Sequence, residues 1–197
     1  MTAPPNDLAA TLADAISAYE ASGNMGALMQ RLHELRDGVM PDALVAVAEP
    51  WLHMPEVAGP LYERIVQDQP KNARAMVILG NAYWLSGRGP ELVGELAARA
   101  LGVDPENRGA WHLWALTEGN PRDRTQRWMQ VTQRFPADQL AKAALADNAA
   151  SLAGAEHDRE ALHIAIATYE ELRAASTNVE QQTALDKALT TLRGWKL

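Results

Sequence analysis

Cysteine is missing from all 197 residues, which removes disulfide frameworks, thiolate metal sites and cysteine nucleophiles together. Phenylalanine occurs once against six Trp and four Tyr, so aromatic burial falls to the larger rings. Runs of β-branched residues and period-two alternation are scarce, and no strand pattern of useful length emerges. No stretch approaches the ~18 consecutive apolar residues of a bilayer-spanning helix. Positive charge is short as well. Lys and Arg number 18 against 25 Asp and Glu, for a formal net charge of -7. A phosphate-neutralising footprint is therefore lacking, and nucleic acid is excluded as a partner. The densest basic cluster, Arg122 to Arg127, is broken by Asp123 and reads as a solvated helix end. The start of the chain, Met1 to Asp7, has neither a positive n-region nor an apolar h-region. The expectation is a cytoplasmic protein, or a periplasmic one if a leader precedes this chain.

Chemistry-bearing motifs are equally sparse. His33-Glu34 begins a zincin-like string, but the second His would fall on Asp37. His157 and His163 are six residues apart, a spacing that separates them around a helix. No nucleophile elbow, phosphate loop or dinucleotide fingerprint occurs. Adjacent carboxylates such as Glu170 and Glu171 suit an exposed helix surface. The expectation is a protein with no catalytic residues, no metal and no cofactor.

What is present is helical and repeated. Hydrophobic residues make up 47% of the chain, enough to build a core and to argue against disorder. Three prolines, Pro70, Pro105 and Pro136, each close one apolar helical stretch and precede another. A proline just past a helix end stops it, having no N–H to donate and a ring that clashes with the preceding turn. The prolines are 35 and 31 residues apart, which brackets a repeat of about 34 residues. Residues 6–38 read as a further, degenerate helix pair, Asp7 to Ser22 and Met25 to Arg36, with Gly38 as its stop. The last helix, about Val179 to Trp195, carries Leu185, Leu189, Leu192 and Trp195 on one face and polar residues on the other, as a capping helix would.

The segment Ala75 to Gly87, with Leu79-Gly80 and Tyr83, resembles the first helix of a tetratricopeptide unit. Ala98 to Asn107, with Asp104-Pro105, resembles the close of the second helix, and Ala110-Trp111 the opening of the next unit. The resemblance implies an all-α protein: a right-handed α-α superhelix of four to five helix pairs plus a C-terminal capping helix. The expected divisions are 1–38, repeats at 39–72, 73–107, 108–138 and 139–176, and a cap at 177–197. Ala46, Gly80, Ala115 and Ala146 then occupy the small position at which paired helices cross closely. The third unit is about three residues short after Ala115, and the fourth needs an insertion near Gly154 to His157.

Residues facing the concave groove of such repeats are implied to be Val47 and Trp51 in the first unit. The second supplies Arg74, Val77, Asn81 and Trp84, the third His112 and Leu116, and the fourth Asp147. The resemblance implies an adaptor that holds a peptide or protein segment there, with Trp84, Asn81, Arg74 and His112 as contacts, and it leaves a homodimer open. Two alternatives stand beside it. One is a chaperone of secretion or of cytochrome c maturation, which Ala100 to Pro105, Ala110-Trp111 and Trp128 also resemble. The other is an enzyme or regulator with a small-molecule pocket between helices.

Overall fold

The protein is described by a computed structural model, covering residues 5–37 and 39–197. Gly38, the expected stop of the second helix, lies outside the described residues. Every regular element among them is helical: α1 (Pro5–Ser22), α2 (Met25–Asp37), α3 (Pro41–Ala48), a 3₁₀ turn (Glu49–Trp51), α4 (Pro55–Asp68), α5 (Ala73–Leu85), α6 (Pro90–Val103), α7 (Arg108–Leu116), α8 (Pro121–Arg134), α9 (Gln139–Glu156), α10 (Arg159–Ala175) and α11 (Val179–Arg193). Among the described residues, no helix is long and apolar enough to cross a membrane.

The chain forms two compact units, residues 1–113 and 114–197. In the first, α1 packs on α2, α3 on α4, α4 on α5, and α5 on α6. Leu12, Ile16, Leu28, Leu32, Leu61, Ile65 and Met76 fill its core. In the second, α9 takes α8 and α10, and α10 takes α11. The core here is alanine-rich, with Ala149, Ala153, Ala161 and Ala165 between Leu152 and Leu192. Small side chains let those helices lie close.

The three prolines build one joint three times. Asn72 N–H donates to the Gln69 carbonyl (3.0 Å), Asn107 N–H to Asp104 (3.1 Å), and Asp138 N–H to Phe135 (2.9 Å). Each is a turn with proline at its second position, where the ring's fixed φ suits the geometry. The fourth residue of each turn then caps the following helix. Asn72 accepts from Ala75 N–H (2.9 Å) and Asn107 from Ala110 N–H (3.1 Å). Asp138 accepts from Leu140 N–H (3.0 Å) and Ala141 N–H (3.2 Å). Four consecutive residues thus end one helix and start the next.

Three of the four small positions hold and one does not. Ala115 and Ala146 are fully buried, and a Cβ on Gly80 would stand 2.6 Å from Leu113 Cδ1. Ala46, by contrast, is exposed, while Ala48 is fully buried. The reason is Pro41, which opens α3 at its first position and is pre-organised for that role. The helix starts two residues after Val39, so Ala48 takes the crossing, Val47 is buried, and Glu49 moves to the face assigned to Val47.

The length anomalies have local causes. Helix α7 has nine residues against thirteen in α5. Helix α9 has eighteen; it stops at His157, which adopts a left-handed conformation (φ 55°), and Asp158 caps α10. Trp195 lies beyond the end of α11 and packs on the second core, its ring 3.1 Å from where a Gly154 Cβ would be.

Candidate functional site

In the first unit, the outward face of α5 gathers four of the residues expected to line a groove. Arg74, Val77, Asn81 and Trp84 recur at spacings of three and four, which aligns them on one side of a helix. The opposite side of the helix, with Met76, Leu79 and Gly80, is buried. Arg74 and Asn81 are exposed, Trp84 is 39% exposed and the adjoining Leu85 is 67% exposed. Val77 is half-buried against the core, and its Cγ1 lies 2.7 Å from where a Gly109 Cβ would be. Only a glycine lets α7 come this close, so Val77 acts as a spacer. His112 follows Gly109 by three residues on α7, on the same side of that helix, and is half-buried.

Arg74 reaches Glu49, its Nη2 donating to both carboxylate oxygens. This ion pair links α5 to the 3₁₀ turn, and it exists because Pro41 set the register that leaves Glu49 half-exposed. Beneath it lies Tyr62, 1% exposed, whose hydroxyl has no hydrogen-bond partner among the described residues. Burial raises the Tyr62 phenol pKa, Glu49 adds to the rise, and the nearby Arg74 offsets it. Trp51 ends the 3₁₀ turn half-buried against the core, its ring 6.2 Å from His53. It does not join the row on α5.

A separate cluster ties α5 to α4. Tyr83 O–H donates to Glu63 (2.9 Å), and Arg88 lies 5.1 Å over the Tyr83 ring. Burial first, and then the bond to Glu63, pushes the Tyr83 pKa up to about 12. A raised pKa means that the contribution of Tyr83 is complete below its ordinary value of 10 and fades as pH rises toward 12. Alkaline unfolding of Tyr83→Phe should therefore be less steep than wild type between those pH values, with a constant stability difference below them.

In the second unit, Leu116 is half-buried and Asp147 is exposed on α9. Asp147 is already engaged: Tyr169 O–H donates to it at 2.5 Å. Burial and that bond hold the Tyr169 phenol far above its ordinary range. Both tyrosine–carboxylate pairs join neighbouring helices.

The basic cluster expected to be a solvated helix end is instead a set of internal ties. Arg122 donates to Asp158 (2.7 Å) and Glu156 (2.6 Å), and Arg124 to Asn148 (2.7 Å). Arg127 donates to the Trp114 carbonyl (2.8 Å), pairs with Glu118 (2.5 Å) and stacks 4.6 Å over the Trp114 ring. Sequence reasoning misses this because the acceptors lie on other elements. A planar guanidinium meets all three demands and an ammonium does not. Arg127→Lys should cost about 1 kcal/mol and Arg127→Ala about 2 kcal/mol in denaturant titrations. Equal stability of Lys and wild type would show that the fork is not needed.

Among the described residues, no group of three or more His, Asp or Glu stands ready to hold a metal ion. Neither a family model nor a curated protein sequence matches the chain. Solved structures do. TTC0263, a thermophilic TPR protein of Thermus thermophilus, is similar over 91% of this chain and 97% of its own, with 18% identity and a TM-score of 0.60. PilF of Pseudomonas aeruginosa is similar over 96% and 86%, with 15% identity and a TM-score of 0.61. MamA is similar over 78% and 91%, with 14% identity and a TM-score of 0.59. The fold is of the tetratricopeptide type. Counted from the starts of α3 and α5, Glu49 and Asn81 are each the ninth residue and Arg74 is the second.

Proposed function

We propose that the protein is an adaptor that holds a polypeptide segment against the outward face of α5 in the first unit. The supporting observation is the exposure of Trp84 and Leu85 at the end of a row that also presents Asn81 and Arg74. An exposed tryptophan beside hydrogen-bonding and cationic groups is the composition of an interface anchor, because it buries a large area at small entropic cost. The row from Arg74 to Trp84 spans about 15 Å at helical rise, the length of about four to five extended residues. Glu49 balances the charge of Arg74, so the face is close to neutral and favours an apolar or aromatic anchor on the partner.

A photo-crosslinking amino acid at Asn81 should capture a partner in the native host, and the same probe at Arg99 on α6 should not. Trp84→Ala should remove the Asn81 adduct in a variant whose circular dichroism remains that of the folded helical protein. Equal capture from both positions, or an adduct indifferent to Trp84→Ala, would place the interaction elsewhere.

A further inference from the structure

Helices α8 and α10 both lean on α9, and a furrow of about 370 Å³ runs between them within the second unit. Thr125, Met129, Leu152 and Ile164 give it an apolar floor. Its wall on α8 is a row of exposed amides, Gln126, Gln130 and Gln133. None of the three amides has a hydrogen-bond partner among the described residues, so each offers both donor and acceptor. Arg122, tied to Asp158 at 2.7 Å, closes one end. From there the furrow runs to Gln133 on α8 and to Ile164 on α10.

The geometry points to a second binding site here, for an extended polypeptide segment with a basic residue near the closed end. Gln126 and Gln130 are four residues apart, about 6 Å along the helix. An extended chain repeats every two residues in about 6.6 Å. Gln126 and Gln130 therefore meet main-chain groups of one edge of the segment, while side chains on its other faces alternate between the apolar floor and solvent. From Arg122 to Gln133 the wall measures about 16 Å, or about five extended residues. Charge fixes the direction. At the closed end Arg122 is engaged by both Glu156 and Asp158, while Glu160 on the furrow wall makes no ion pair among the described residues. That carboxylate is available, so a Lys or Arg of the segment belongs at that end. This site is independent of the α5 face.

A displayed random-peptide library selected on the full chain tests the proposal. The expected winners alternate apolar and polar residues and carry Lys or Arg toward one end. Their affinity should fall at least tenfold in Gln126→Ala/Gln130→Ala and in Glu160→Lys, both exposed changes whose folding is checked by circular dichroism. Met129→Glu should abolish binding by charging the floor. Winners without a basic residue, or equal retention on the double glutamine variant, would overturn the proposal. So would binding that is lost in Trp84→Ala and kept in the glutamine variant. An apolar dye that binds the furrow and is not displaced by any selected peptide would make this a small-molecule pocket instead.

Discussion

Trp128→Ala should lower the free energy of unfolding by about 3–5 kcal/mol, within the range for emptying a buried tryptophan site. The effect is large because α8 has so little else to bury. Of its fourteen residues only Thr125, Trp128 and Val131 are buried. Thr125 spends its hydroxyl on the Pro121 carbonyl (2.9 Å), and Val131 is small. Met129 lines the furrow rather than the core. The indole, 5% exposed, therefore supplies most of the apolar burial that keeps α8 on α9. Against a whole-domain stability of about 5–15 kcal/mol, that loss should also make α8 the first site of proteolysis. A denaturant midpoint within experimental error of wild type would show that α8 is held by its arginine ties alone.

The second large effect belongs to the crossing of α5 and α7. Leu113, 2% exposed, inserts where Gly80 has no side chain. Leu113→Ala should cost about 2–5 kcal/mol, combining lost transfer energy with a cavity. Gly80→Ala gains about 1 kcal/mol of helix propensity, yet its Cβ would stand 2.6 Å from Leu113 Cδ1. Overpacking of this kind costs about 1–3 kcal/mol, so the single change should be destabilising. Combined with Leu113→Ala, the same Gly80→Ala should become favourable, because the obstructing branch is gone and the cavity is partly filled. A double-mutant cycle reads this as a coupling of opposite sign to the single costs. Simple additivity would mean that the two residues do not oppose each other.

These two sites also show where the sequence can and cannot be read. Gly80, Ala115 and Ala146 are legible as crossing positions because helix starts at residues 73, 108 and 139 follow a marked joint. Ala46 fails as one because the first leading helix has no such joint before it. The available signal is Pro41 followed by Asp42, a proline with an acid in the first turn, which starts α3 two residues late. That shift buries Val47 and brings out Glu49, and with it the tie to Arg74. The engagement of Asp147 by Tyr169, and of Arg127 by Trp114, joins residues 22 and 13 apart on different helices. No periodicity within one helix reports such pairs. The furrow between α8 and α10 is invisible for the same reason, since its glutamines look like an ordinary solvated face until the neighbouring helix is in place.

The Pro-x-Asn/Asp joint has a practical corollary for dividing or extending this chain. Its turn and its cap close within a few consecutive residues, so an insertion there would break a stop and a start at once. The link between α5 and α6, at 86–89, gives α6 no side-chain cap and carries no such double duty. Foreign loops or split points should be accepted at that tip and rejected at residues 69–72, 104–107 and 135–138, where one break removes both a stop and a cap.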